Sequence, residues 1–252
     1  MVNASANNIL PIKAIADAKE AFAATDKETL VIFDVDCVLT MPTNPLLQLP
    51  TFNKYKDSYA ELRLDLTKDE RHILNHLIIT HGSSQLVEVA FLEIIEQLQQ
   101  RNIKTIAMTA GKTGNIGQNL CFPDWRFAEL KRLGIDFSSV FPDKVYFTEL
   151  VSFNGDGPGM DRGIVYSTGN RNTKGELLKH VFGVLKWQPR RILAIDDRLK
   201  NLHSFFDTTN SMLPKIDFLG LHYQGADFVP TVDVAEEAFV NLISSLVRII
   251  HD

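Results

Sequence analysis

With 252 residues, 45% of them hydrophobic and 23% charged, the chain is long enough to bury one sizeable core with room for elaborated loops, and no apolar stretch reaches the roughly eighteen residues needed to span a bilayer. A net charge of -5, with no dense block of Lys and Arg, excludes a broad electrostatic footprint for nucleic acid. Cys37 and Cys121 stand in no CxxC spacing, which excludes a disulfide framework and a cysteine zinc site and reads as two free thiols in a reducing compartment.

The opening residues, MVNASANNILPIK, lack the basic patch and apolar core of a secretory signal, so a soluble, cytoplasmic protein is expected; a signal already trimmed would leave the same start. The first clear element is TLVIFDV, residues 29–35, an apolar run with strand propensity. Residues 41–83 interrupt the path from this strand to its helix and read as a helical, cap-like insertion. SSQLVEVAFLEIIEQLQQRN, 83–102, carries Leu86, Val89, Ala90, Ile94 and Leu98 near helical spacing, and IKTIAMT, 103–109, is the next strand. VYFTELVSFNGDGPGMDRGIVYST, 145–168, reads as two strands joined by a glycine-rich turn, a second, hairpin-like insertion. TKGELLKHVFGVL, 173–185, is again amphipathic, with Leu177, Leu178, Val181, Phe182 and Leu185 on one face, and RILAID, 191–196, and DFLGLHY, 217–223, complete the strands. Strands alternating with helices predict an α/β fold of three layers, a parallel sheet covered on both faces, in one domain over 1–252 with two insertions.

In such a sheet, ligands bind at the carboxyl ends of the strands. Asp34 and Asp36 fall at the end of the first strand, Thr109 with Ala110 and Gly111 at the end of the second, and Asp196 with Asp197 at the end of the third. Alternation in an extended chain would aim Asp34 and Asp36 the same way, although the backbone is expected to turn after Asp34. Taken alone, that pair serves equally well to cap a turn. Together the strand ends supply four carboxylates and a hydroxyl, a concentration of negative charge that calls for a cation, and hard oxygen ligands suit Mg²⁺. Lys174 opens the helix of 173–185, where the helix dipole disfavours a cation, so a role in the fold alone explains it poorly.

These residues resemble the four motifs of the haloacid dehalogenase superfamily, in order: DVDCVLT (34–40), Thr109, Lys174 in TKG, and Asp196 with Asp197. The resemblance covers the α/β core and leaves the insertions undetermined. It implies a Rossmann-like core and a Mg²⁺-dependent phosphatase, with Asp34 as the nucleophile forming an aspartyl-phosphate and Asp36 as general acid and base. It further implies phosphate binding by Thr109, Ala110 and Lys174, and Mg²⁺ held by Asp34, the main-chain carbonyl of Asp36 and Asp197. Asp197 precedes Asn201 by four positions, the family's spacing of two acidic residues, with Asn201 replacing the second; Asp196 would tune the site or ligate through water. Cys37 and Val38 depart from the commoner Gly or Asn and Thr of the first motif. The expected substrate is a phosphorylated small molecule or phosphoprotein. A phosphotransferase and a catalytically silent binding protein are the alternatives on the same residues; the oligomeric state is not legible.

Other signals are weaker. IAMTAGKTG half-resembles a P-loop, but Ile106 stands where its first glycine belongs. His72 and His76 lie one helical turn apart with His81 nearby, as zinc ligands can, and a half-exposed helix accounts for the same spacing.

Overall fold

The computed structural model describes residues 8–116, 120–152, 156–169, 171–212, 215–230 and 232–251. In chain order, β1 (Ile9–Ile12) leads through α1 (Lys19–Ala23) to β2 (Thr29–Phe33). β3 (Thr40–Pro42) opens an excursion through α2 (Leu49–Lys54), α3 (Lys56–Glu61) and α4 (Lys68–Thr80), which β4 (Ser84–Leu86) closes by pairing antiparallel with β3. α5 (Ala90–Gln100) and β5 (Lys104–Thr109) return to the sheet, and the ribbon of β6 (Asn115–Ile116) and β7 (Leu120–Cys121) precedes α6 (Phe122–Arg132). β8 (Lys144–Tyr146), β9 (Gly159–Asp161) and β10 (Ile164–Tyr166) follow, then α7 (Lys174–Leu185), β11 (Arg191–Asp196), α8 (Leu199–Ser211), β12 (Asp217–Tyr223) and α9 (Glu236–His251).

Eight of these strands form one sheet in the order β1-β12-β11-β2-β5-β10-β9-β8. It is parallel from β1 to β10, and β9 and β8 add an antiparallel edge. Every residue of β2 is buried, as a central parallel strand covered on both faces requires. Alternation along β2 divides the core. Val31 and Phe33 pack with Phe22 of α1, Phe91 and Ile95 of α5, and Phe122 and Leu130 of α6. Leu30 and Ile32 pack on the opposite side with Leu177 and Val181 of α7 and Leu202 and Phe205 of α8. The result is the expected three-layer α/β architecture, with the order of strands reversing beside β2, where crevices form at the carboxyl ends.

A third apolar cluster lies outside these layers. Leu47, Leu66, Leu74 and Ile78 of the excursion pack with Phe239, Ile243 and Leu246 of α9. The helical segment 41–83 is thus completed from the far end of the chain, a pairing that no local pattern announces. It docks on the sheet through His76 in α4, whose Nδ1 lies 2.8 Å from the His72 carbonyl oxygen and whose Nε2 lies 3.1 Å from the Lys112 amide. With Nε2 accepting from that amide, Nδ1 donates to the carbonyl. Burial pushes the His76 imidazole down to about 3 and that of His72 to about 4, so both stay neutral and serve packing.

Two local readings differ from this. The segment 83–102 does not run as one helix: Ser84–Leu86 is held extended by its pairing with Thr40–Pro42, and the helix begins at Ala90. Residues 145–168, read as two strands joined by a glycine-rich turn, contribute to three strands, and β10 pairs parallel with β5, so the segment is continuous with the main sheet.

Gly175 shows how closely the helices on one face approach. A Cβ built there would lie 2.1 Å from the Ser204 carbonyl oxygen, and its N–H donates to Ser204 Oγ at 3.1 Å, so α7 meets α8 backbone to backbone. Gly175→Ala is expected to cost about 1–3 kcal/mol through overpacking. Gly183→Ala, in the same helix with nothing within 4 Å of the added carbon, should be neutral or stabilising by up to about 1 kcal/mol. Urea midpoints of the two variants against the wild type check this contrast.

Candidate functional site

The parity that divides the core also aims the first group of polar side chains. Asp34 follows Leu30 and Ile32 in step, and Asp196 follows Ile192 and Ala194, so both carboxylates leave their strands toward the face covered by α7. Helix α7 starts there with Lys174. Its N-terminus is fixed by a capping box in which Thr173 Oγ1 accepts from the Glu176 N–H at 3.3 Å and Glu176 Oε2 accepts from the Thr173 N–H at 2.6 Å. The Lys174 ammonium, 3% exposed, lies 2.8 Å from Asp34 Oδ1 and 2.7 Å from Asp196 Oδ2. Its position at a helix N-terminus is unfavourable alone, and two carboxylates offset it.

Each carboxylate has further support. Asp34 ties β2 to β11 through its N–H, which donates to the Ile195 carbonyl at 2.8 Å, and Asp34 Oδ1 accepts from the Val35 N–H at 2.7 Å. Asp196 Oδ1 accepts from the Arg198 N–H and from Asn201 Nδ2, each at 2.9 Å, and Oδ2 accepts from Asn201 Nδ2 at 3.1 Å as well as from Lys174. Asn201 therefore serves Asp196, the residue five positions before it. Asp197 is placed beside them, with Arg198 Nε 3.9 Å from its Oδ2.

Asp34, Asp196 and Asp197 each offer a carboxylate oxygen within 4.8 Å of the others. At an effective dielectric of about 20, two like charges at that separation repel by roughly 3–4 kcal/mol. Burial and then the Asp196 charge push the Asp34 carboxyl well above the usual range despite the pull of Lys174, and the same two causes push Asp197 up to about 6. Burial works against the Lys174 ammonium, yet Asp196 and Asp34 hold it above the ordinary lysine value. The group has more negative than positive charge to balance, and its donors are hard oxygens, the combination that suits a divalent cation.

Asp36 stands apart from this group. The chain turns after Asp34, with the Leu39 N–H donating to the Val35 carbonyl at 3.0 Å, the Cys37 N–H donating to the Thr40 carbonyl at 2.8 Å, and Cys37 in the left-handed region at φ 64. The turn swings Asp36 to the side of α6, where Arg126 Nη2 donates to Oδ1 at 2.6 Å and Thr109 Oγ1 donates to Oδ2 at 3.3 Å. Thr109 is fully buried, and its hydroxyl also accepts from the Gly111 N–H at 3.1 Å. The amides of Gly111 and Lys112 are engaged by Thr109 and His76.

Arg126 was not singled out in the sequence, since a charged residue in an unassigned segment resembles any surface position. A signal was present: Phe122, Arg126 and Leu130 recur at intervals of four, and the flanking two line a core, so the arginine occupies a buried stripe.

A family model described as "Protein of unknown function (DUF2608)" matches residues 11–239. Relatives include an uncharacterized protein of Rickettsia bellii (strain RML369-C), 27% identical over 234 residues, covering 89% of this chain and 78% of the relative. Another, from Rickettsia felis (strain ATCC VR-1525 / URRWXCal2), is 29% identical over 206 residues, covering 78% of this chain and 68% of the relative. Among solved structures, the crystal structure of a phosphoserine phosphatase in apo form aligns over 79% of this chain and 94% of that chain, with 15% identity and a TM-score of 0.39. That likeness is too loose to bear on the chemistry of the site.

The charge balance predicts a pH signature. The Asp197 carboxyl binds its proton more tightly folded than unfolded, so its contribution to stability is fully present below the ordinary aspartate value of 3.8 and is lost as pH rises through about 6. With divalent ions chelated, Asp197→Asn should therefore be more stable than the wild type near neutral pH and should lose that margin as pH falls below about 6. Urea midpoints of both proteins across that pH range provide the measurement.

Proposed function

The chain belongs to the DUF2608 family, and from the geometry of its site we propose that it is a Mg²⁺-dependent phosphomonoester hydrolase of the haloacid dehalogenase type, acting through an aspartyl-phosphate. One observation carries the reading. Two carboxylates two residues apart are given different supports: Asp34 lies in a group of three acidic residues 2.8 Å from a buried ammonium, whereas Asp36 is held on another side by Arg126 and Thr109. A nucleophile and a proton-transfer group need that separation of environments.

Asp34 Oδ attacks phosphorus as the ester P–O bond breaks, and the leaving oxygen takes its proton from the Asp36 carboxyl. Water then forms a bond to phosphorus, its proton passes to Asp36, and the bond between phosphorus and Asp34 breaks. A carboxylate approaching a phosphate dianion at about 4 Å meets roughly 4 kcal/mol of repulsion per pair of unit charges at a dielectric of about 20, nearly three orders of magnitude in rate. Lys174 offsets part of it. Asp34, the main-chain carbonyl of Asp36 and Asp197 would hold Mg²⁺, while Asp196 stays with Lys174 and Asn201. When bound, the ion supplies the remaining charge compensation and orients the phosphoryl group. Lys174 and the Ala110 amide are assigned to the phosphoryl oxygens; the Thr109 hydroxyl, expected there too, gives its single proton to Asp36 Oδ2.

The substrate favoured by this geometry is a phosphorylated small molecule. Supporting that choice, the helical segment closed by α9 docks through His76 onto the loop that follows Thr109, beside the strand ends. Among the described residues no helix is long and apolar enough to cross a membrane.

Asp34→Asn should abolish hydrolysis of p-nitrophenyl phosphate while the cooperative unfolding transition is retained. Chelation of Mg²⁺ from the wild type should do the same reversibly. Asp36→Asn should slow turnover by about 10²–10⁴-fold. Steady-state rates with circular dichroism check all three, and retained activity of Asp34→Asn rejects the assignment.

A further inference from the structure

We propose that Arg126 is a positioning residue for proton transfer: it holds the Asp36 carboxyl group in the orientation from which that group meets the leaving oxygen. The inference rests on the phosphoester reading of the site given above.

The Arg126 side chain is completely buried, and its Nη2 lies 2.6 Å from Asp36 Oδ1. Among the described residues its Nε and Nη1 have no hydrogen-bond partner; the guanidinium carbon instead lies 5.3 Å from the centroid of the Phe122 ring and 4.8 Å from that of Trp125. Taking a guanidinium out of water and leaving two of its nitrogens unpaired is costly, and an apolar residue in the stripe of Phe122 and Leu130 would pack there without that cost. The fold alone therefore does not explain an arginine at this place. What the arginine adds is its contact with Asp36.

Asp36 has need of such an anchor. It lies in the reversing loop between Asp34 and Thr40, past the end of β2, with an isolated bridge to Thr40 and Cys37 left-handed after it, outside the ladders of the main sheet. Its side chain is 30% exposed, and the side chain that grips it from behind has no exposure at all. Thr109 secures the second oxygen at 3.3 Å. Two donors, one on each oxygen, set both the direction and the rotation of the carboxylate, which is what a proton transfer across a hydrogen bond demands. A buried Arg126 reaches substrate only through Asp36, which separates this role from direct binding of a phosphate or carboxylate.

The test pairs Arg126→Met, which keeps the length of the stem and removes the charge, with Arg126→Lys, and measures two substrates under saturating Mg²⁺. An alkyl phosphate needs its leaving oxygen protonated, and p-nitrophenyl phosphate does not. Arg126→Met is expected to lower kcat on the alkyl ester by about 10- to 100-fold, with a smaller loss on the aryl ester and KM little changed. Arg126→Lys should restore much of the alkyl rate. In the double variant with Asp36→Asn, removal of Arg126 should cost almost nothing further, because both changes act through one group.

Equal losses on the two esters, a rise in KM with kcat preserved, or losses that multiply in the double variant would each overturn the role given to Arg126. If Arg126→Met does not fold, Arg126→Gln and the Lys variant carry the same comparison. Wild-type protein that hydrolyses neither ester with Mg²⁺ overturns the phosphoester reading itself, and this inference with it.

Discussion

A single buried ammonium holds the functional end of this protein together. Lys174 bridges carboxylates from two neighbouring parallel strands, Asp34 after β2 and Asp196 at the end of β11. Removing one partner of such a buried group typically costs about 3–5 kcal/mol, because the remaining charges have neither water nor a counter-charge. The contact depends on three separate features: strand parity that sends both aspartates to one face, a capping box that starts α7 at the right residue, and a glycine at 175 that lets α7 approach α8. Each is a property of backbone geometry, and the electrostatic arrangement follows from their coincidence.

The turn after Asp34 has the second largest consequence. Two aspartates that an extended chain would aim in one direction are sent to different layers, one toward α7 and the other toward α6. The first enters an environment rich in negative charge, where burial and repulsion raise its carboxyl. The second meets a guanidinium and a hydroxyl. Chemical differentiation of identical side chains thus comes from a reversal of a few residues, made at Cys37 by a left-handed backbone conformation that non-glycine residues seldom adopt.

The covering segment has its own apolar cluster, distinct from the two that flank the sheet. Phe239 of α9 packs edge-on against Phe52 at 5.3 Å and lies 5.6 Å from Tyr55, joining the end of the chain to α2 and its neighbour. Its attachment to the sheet includes a polar contact, the His76 ring accepting from the Lys112 amide. A neutral imidazole suits that place, since it satisfies one donor and one acceptor without introducing charge beside Arg126.

Much of this architecture can be read from local pattern. The apolar runs at 29–35, 103–109, 191–196 and 217–223 fall on strands, and the amphipathic run at 173–185 falls on a helix, because periodicity of burial is imposed by the backbone within a few residues. The residues Asp34, Asp36, Thr109, Asp196 and Asp197 stand out as polar groups at the ends of apolar strands, and Lys174 as a cation at the start of a helix. Contacts between distant segments leave no such trace. Arg126 meets Asp36 across ninety positions, α9 completes a cluster begun near residue 47, Ser84–Leu86 is extended because Thr40–Pro42 lies beside it, and Ile9–Ile12 is a strand because β12 presents a free edge. In these cases the stabilising partner is brought near only when the chain closes, and tertiary structure decides what the local sequence leaves open.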